Sequence, residues 1–101
     1  MGIMMARVQV KYGQADRFNE IMSHLVPILE RNGWALLGAY QTQVGRLWEC
    51  WDVWEIDNAD HIASVLGASV QDPEFGDWAS QLPECVEQEE LRYLTKLPYA
   101  H

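Results

Sequence analysis

The carboxyl group of Asp52 has the clearest chemical potential in this sequence, because large apolar residues surround it. It lies in the segment Leu47–Ile56, which has no Gly or Pro and holds three of the five tryptophans. Such a segment predicts a strand. Alternation along a strand then places on one face Trp48, Cys50, Asp52, Trp54 and Ile56. If that face looks into a cavity, burial raises the pKa of Asp52 and suits the group to general acid/base chemistry.

A structural role for the same carboxylate is the alternative. Three arginines could reach it from a neighbouring strand or subunit: Arg7, Arg46 and Arg92. Structural ion pairs also perturb pKa values. This alternative predicts an ion pair at Asp52 and no catalytic part for it.

Three further side chains could assist a proton transfer. His24 lies beside the apolar stripe of the first predicted helix, and His61 lies in the first turn of the second. Both are expected at the surface, and either would be a natural proton shuttle if it reached the cavity. Tyr40 could donate a hydrogen bond to a ligand carbonyl or have a purely structural hydroxyl. No histidine pair has the i, i+4 spacing of a metal site, so no metal is predicted.

Several apolar side chains are candidates for substrate contact. They form the hydrophobic core, a subunit interface or a pocket for a flat, hydrophobic molecule: Trp48, Cys50, Trp54, Phe75 and Trp78. The sequence has no Gly-rich phosphate loop, no serine nucleophile elbow and no Cys-rich metal motif. No cofactor is therefore predicted, and no sequence feature supports an axial haem ligand.

The elements that must position these residues follow from the apolar pattern. Strands are predicted over residues 3–12, 34–44, 47–56 and 89–97, with a tight turn at 44–46. Helices are predicted over 14–32, after the capping pair Asp57-Asn58, and from Asp72-Pro73 to Pro83. In the last strand, Leu91 and Tyr93 share one side. This order predicts a ferredoxin-like α+β fold, βαββαβ, with helices on one face of a four-stranded antiparallel sheet.

Length and charge narrow the function classes. The 101 residues predict a single domain, 1–101. With 15 acidic against 7 basic residues, the net charge is −8. No basic patch exists for nucleic acid or for an anionic membrane surface. No signal peptide or membrane-spanning segment is recognised, and two isolated cysteines, Cys50 and Cys85, are typical of reduced thiols. A soluble, cytoplasmic protein is expected.

The layout of the chain resembles NIPSNAP-like members of the dimeric α/β-barrel superfamily. The family's hairpin pattern is matched by Gly45, Leu47, Glu49 and Trp54. Its later Asp-Pro-Glu-aromatic pattern is matched by 72–75, and its Gln-Glu pair by 88–89. Asp52 stands where the family often has His, and Trp48 replaces the usual Asn.

This resemblance implies a homodimer whose two sheets form a barrel, with a ligand cavity between sheet and helices in each subunit. Cofactor-independent monooxygenases, cyclases and isomerases belong to the same superfamily. The leading hypothesis is a cofactor-independent isomerase, cyclase or lyase that acts by proton transfer on a hydrophobic, cyclic or aromatic substrate. A non-catalytic binding or interaction dimer is the first alternative, and a cofactor-free monooxygenase is the second.

Overall fold

The predicted βαββαβ order is confirmed in the computed structural model, which describes residues 2–100. The elements in chain order are β1 (Gly2–Val10), α1 (Ala15–Arg31), β2 (Ala35–Gln41), β3 (Glu49–Ile56), α2 (Asp60–Ser69), α3 (Pro73–Ala79) and β4 (Val86–Leu94). A 3-10 turn, Leu82–Glu84, joins α3 to β4. No helix within residues 2–100 is both long and apolar enough to cross a bilayer.

The four strands form one antiparallel sheet in the order β2-β3-β1-β4. Asp52 in β3 pairs with Ala6 in β1, and Glu89 in β4 pairs with Val8 in β1. Since Ala6 and Val8 are two residues apart, both acidic residues lie on the same face of the sheet. β1 alone separates them.

The helices cover that face through the apolar stripe of α1. Its buried residues recur at helical spacing and are Phe18, Ile21, Leu25, Ile28 and Leu29. Leu29 belongs to a core cluster around Trp54, and the first three residues of the stripe belong to an adjacent cluster around Val8. The half-buried ring of Phe75 in α3 contacts both clusters. The core therefore lies between the sheet and α1, with α2 and α3 along its sides.

The predicted start of α3 is confirmed in detail. The side chain of Asp72 accepts a hydrogen bond from the backbone N–H of Glu74 at 2.9 Å, and Pro73 occupies the first turn. Asn58 likewise accepts from the backbone N–H of His61 at 3.1 Å, at the start of α2. These caps satisfy helix N–H groups that have no partner within the helix.

The predicted tight turn at 44–46 is wrong in length. The β2–β3 connection spans residues 42–48, and β3 begins at Glu49 instead of Leu47. Thr42 closes this loop, because its N–H donates to the carbonyl of Glu49 at 2.9 Å. Trp48 lies in the loop with a φ of 62°, so strand alternation does not set its direction.

The last strand is also displaced from its predicted range. β4 covers Val86–Leu94 instead of 89–97. It pairs only with β1, and the final pair joins Leu94 to Ile3 near the start of β1. Among residues 2–100, β1 is the only strand that pairs with β4, and the apolar pattern of β4 does not encode this long-range pairing.

The second face of the sheet has no helix over it among the described residues. Its middle carries half-buried apolar side chains from the two central strands: Ile3, Met5, Trp51 and Val53. Next to them Arg7 forms an ion pair with Glu49, and its guanidinium lies 3.6 Å from the carboxylate of Glu90. We call this surface the open face.

Candidate functional site

Three neighbouring cavities lie between α1 and the sheet. The central cavity measures about 230 Å³, and Asp52, Glu89, Trp54 and Phe75 are among its lining residues. The β2-side cavity, about 210 Å³, also reaches Asp52. The β4-side cavity, about 380 Å³, also reaches Glu89. Met22 of α1 lines all three.

Asp52 is a buried carboxylate without a partner in the described chain. It is 8% exposed. Its side chain forms no hydrogen bond or ion pair with any residue from 2 to 100, and it lines two of the cavities. Burial raises the pKa of Asp52 to about 6, and the charge of Glu89 adds to the increase.

The arginines proposed as partners of Asp52 lie elsewhere. Arg7 contacts Glu49 and Glu90 on the open face, and Arg92 donates to Glu90 at 3.1 Å. Arg46 lies in the exposed β2–β3 loop. Side chains alternate between the two faces of a sheet, and Arg7 and Arg92 occupy the positions that face away from Asp52. The predicted structural ion pair is absent within residues 2–100.

Glu89 is a second acidic group at the site, and it was not among the residues predicted from sequence. It lines the central and β4-side cavities. The residue as a whole is exposed, which places it at the mouth, while partial burial of its carboxyl group raises its pKa. The sequence did contain an indication of this position, because Glu89 lies on the same side of the predicted strand as Leu91 and Tyr93. The predicted strand began at Glu89, so this residue lay at the end of the alternating pattern.

Four of the five predicted substrate-contact residues line a cavity. Trp54 and Phe75 line the central cavity, whereas Trp48 and Cys50 line the β2-side cavity. Burial raises the pKa of the Cys50 thiol, and the charges of Asp52 and Glu49 act in the same direction. This disfavours the thiolate that a nucleophilic cysteine needs.

Trp78 lies outside these three cavities. Its ring stacks on that of His24, with centroids 3.8 Å apart and planes within 5° of parallel. His24 also lies 3.9 Å from the carboxylate of Glu74. This pair joins α1 to α3, and the structure does not bring His24 to Asp52.

His61 and Tyr40 are also separated from the central cavity. The Nδ1 atom of His61 accepts a hydrogen bond from the backbone N–H of Asp57 at 3.1 Å. This hydrogen bond stabilises the segment that leads into α2. Tyr40 is 62% exposed, pairs with Trp51 and is among the lining residues of the β2-side cavity. Neither His61 nor Tyr40 forms a hydrogen bond with Asp52.

No positively charged side chain among residues 2–100 lines these cavities. Their lining residues include Asp52, Glu89 and, in the β4-side cavity, Glu87, but no Lys, Arg or His. Within residues 2–100, no three His, Cys, Asp or Glu side chains come close enough together to hold a metal ion. The arrangement can therefore give or accept protons at carboxyl groups beside an aromatic wall.

Solved structures show where this architecture recurs. An uncharacterized NIPSNAP domain protein from Burkholderia xenovorans is similar, with a TM-score of 0.87 and 19% identity over 100% of this chain and 99% of that one. A NIPSNAP family protein of unknown function from Agrobacterium tumefaciens gives 0.87 and 15%, over 99% and 91%. A putative antibiotic biosynthesis monooxygenase from Nitrosomonas europaea gives 0.70 and 12%, over 96% and 99%.

The sequence comparisons agree with the structural ones. No curated protein matches the sequence at a significant level. The sequence profile of the NIPSNAP family, in contrast, matches residues 4–101, which is nearly the whole chain. The chain therefore belongs to the NIPSNAP family.

Proposed function

We propose that this protein is a cofactor-independent enzyme of the isomerase, cyclase or lyase type. It binds a hydrophobic, cyclic or aromatic molecule between the sheet and the helices and moves a proton through Asp52. The observation that carries this proposal is the unpartnered, 8% exposed carboxyl group of Asp52 on the wall of an aromatic cavity. A buried charge without a partner destabilises a fold, so its presence is typical of a functional site.

The position of Asp52 suits a base that removes a proton from carbon. With its pKa raised to about 6, the group is mostly ionised at neutral pH and is a stronger base than an ordinary aspartate. Trp54 and Phe75 hold the apolar body of the substrate and restrict water near the carboxylate. The same group, once protonated, returns the proton at a second carbon or oxygen of the substrate. One residue can thus perform both halves of an isomerisation.

Solvent exchange tests this proposal without knowledge of the natural substrate. The protein is incubated in heavy water with a panel of cyclic and aryl ketones, and mass spectrometry follows deuterium entering the position next to the carbonyl. Wild-type protein should accelerate exchange for at least one ketone, and Asp52→Asn should reduce that rate by about 100-fold or more, the usual contribution of general base catalysis.

A matched control removes a different carboxylate. Glu55→Gln deletes one negative charge from the same strand, at a half-buried position on the open face. This variant should exchange at the wild-type rate. Equal rates in the wild type and in Asp52→Asn would contradict the proposed role of Asp52. If both variants bind ketones but no protein accelerates exchange, the non-catalytic binding alternative is favoured.

A cofactor-free monooxygenase is the second candidate. The observation in its favour is the shared fold of the putative antibiotic biosynthesis monooxygenase, at a TM-score of 0.70. In that reaction an electron-rich phenol, deprotonated by Asp52, would itself reduce oxygen and become a quinone, with one oxygen atom entering the ring and the other leaving as water. Oxygen uptake in the presence of phenols, lost in Asp52→Asn, supports this candidate, whereas oxygen-independent deuterium exchange supports the first.

We further propose that the open face pairs with the same face of a second copy. Its half-buried apolar centre, which includes Met5, Trp51 and Val53, lacks any cover from the helices of the described chain. Two-fold pairing of such faces removes apolar surface from water on both copies at once. The cavities lie on the other side of the sheet and stay accessible in this arrangement.

A further inference from the structure

The charged side chains along the central cavity indicate which charge a bound ligand should carry. Two carboxylates, Asp52 and Glu89, are the only ionisable side chains among its lining residues, and no cation of the described chain balances them. An anionic ligand placed there would meet two like charges. A ligand that brings a positive charge would supply the partner that the fold itself does not provide.

The carboxylates stand at different depths of the same cavity. Asp52 is nine-tenths buried on the central strand β3, whereas Glu89 is exposed on the edge strand β4. They lie on one face of the sheet, separated by β1, and the charge of Glu89 contributes to the raised pKa of Asp52. A group that enters at Glu89 can therefore contact Asp52 without leaving the cavity.

The remaining wall is suited to the apolar part of a cationic molecule. Trp34 and Trp54 are 5% and 2% exposed, and their ring centroids lie 5.3 Å apart with the planes tilted by 60°. Both rings line the central cavity, together with Phe75. Aromatic faces attract cations as well as apolar groups, so these walls and the carboxylates favour the same kind of ligand.

The volume limits the size of that ligand. An apolar cavity of about 150 Å³ is known to accommodate benzene. The central cavity, at about 230 Å³, has space for one aromatic ring and a short side chain. It is smaller than most drug-sized ligand pockets.

We propose that the central cavity selects a small aromatic or cyclic molecule that carries a positively charged nitrogen, held between Asp52 and Glu89. This inference rests on the proposed small-molecule site and adds the charge of its ligand. The nitrogen is a primary to quaternary ammonium or another organic cation. Held in this way, it keeps Asp52 ionised and thereby assigns to this residue the part of a base at the start of the reaction.

Calorimetric titration with three probes that share one carbon skeleton tests this selectivity. The probes are 2-phenylethylammonium, 2-phenylethanol and phenylacetate, measured at pH 7.5 in 0.15 M salt to screen the general charge of the protein. The ammonium probe should bind at least about tenfold more tightly than the alcohol, since hydrogen bonds to charged groups are the stronger class. Phenylacetate should bind the most weakly.

Three variants assign the selectivity to particular carboxylates. Asp52→Asn and, separately, Glu89→Gln should bring the affinities for ammonium and alcohol close together. Having both variants keeps the test open if one of them folds poorly. Glu55→Gln, with the same loss of charge on the open face, should retain the wild-type preference.

The outcomes separate this inference from the proposed function. Equal affinity of the wild type for ammonium and alcohol overturns the inference while leaving proton transfer to a neutral substrate intact. Equal loss of preference in Glu55→Gln and Asp52→Asn also overturns it, because the preference then comes from the net charge of −8. Absence of binding by all three probes overturns the inference, and the deuterium-exchange experiment then decides the proposed function separately. Charge selectivity in the absence of any deuterium exchange contradicts the proposed enzyme alone.

Discussion

At the scale of single residues, the fold tolerates a carboxyl group that it does little to stabilise. Asp52 has neither a hydrogen bond nor an ion pair within residues 2–100, and its pKa is raised from 3.8 to about 6. Between these two values the folded state binds a proton more readily than the unfolded state does. Stability therefore falls as the pH rises through this range, which is the reverse of the usual behaviour of a salt-bridged aspartate.

Removing this charge should stabilise the protein at high pH. We expect Asp52→Asn to have a free energy of unfolding about 2 kcal/mol larger than that of the wild type at pH 8. The difference should shrink at pH 4.5, where Asp52 is largely neutral in the folded state. Urea denaturation at the two pH values measures both quantities. An Asp52→Asn variant less stable than wild type at pH 8 would contradict the account of an unpaired, buried charge.

The sequence predicted part of this site, and the rest depends on contacts between segments that are distant in the chain. Alternation in β3 correctly grouped Cys50, Asp52 and Trp54, because side-chain parity depends only on the strand itself. Which face meets the helices depends on packing between distant segments, so Arg7 remained a plausible partner of Asp52. Glu89 approaches Asp52 only through the pairing of β1 with both neighbours, which no local pattern encodes.

At the scale of secondary-structure elements, local signals predicted helix starts better than strand ends. Asp72-Pro73 marks the start of α3 because capping depends on adjacent residues. The β2–β3 loop was predicted too short, since the hydrogen bond that closes it joins Thr42 to Glu49, seven residues further along the chain. The resulting position of Trp48 outside β3 still leaves its ring on the wall of the β2-side cavity.

The cap of α3 should contribute measurably to stability and to the site. Asp72→Ala removes the hydrogen bond to the N–H of Glu74 and should destabilise the protein by about 1 kcal/mol. For a domain of this size, this lowers the melting temperature by about 4–8 °C. Because α3 carries Phe75 to the central cavity, ligand binding should weaken as well. Differential scanning calorimetry and probe titration measure the two effects.

The control separates the cap from an ion pair made by the same side chain. Asp72 also accepts from Arg31 at 2.8 Å, in a pair whose arginine is largely exposed. Arg31→Gln removes this pair and leaves the cap, so it should lower the melting temperature less than Asp72→Ala does. Equal decreases in the two variants would show that the cap contributes little.

At the scale of the whole molecule, the sheet separates two surfaces that differ in their side chains and in their cover. One face carries the helices, the cavities and the acidic groups. The open face carries an apolar centre beside the Arg7–Glu49 ion pair. Hydrogen bonds from Thr42 and Arg7 lower the pKa of Glu49, so this carboxylate stays ionised to a lower pH than Asp52 does. The apolar pattern of β3 predicted covering on both sides, but only one cover belongs to the described chain.

Pairing through the open face is testable with one charged substitution. Val53 is half-buried on a central strand, in register with Met5 and Gly38. Val53→Lys should convert a dimer into a monomer at micromolar concentration, as light scattering after size exclusion would show. Val44→Lys, at a 94% exposed loop position, is the control and should retain the dimer. A wild-type monomer, or a dimer of unchanged mass in Val53→Lys, would contradict pairing through this face.

Titration of the Asp52 carboxyl group shows whether this group is buried and unpaired in solution. Carbon-13 NMR of protein labelled at aspartate carboxyl carbons resolves the Asp52 signal, which Asp52→Asn identifies by its loss. We expect a titration midpoint near pH 6 in the free protein, and a lower midpoint when 2-phenylethylammonium is bound. A midpoint below pH 4 in the free protein would show that Asp52 is solvated or ion-paired, and would contradict its role as the acid/base group.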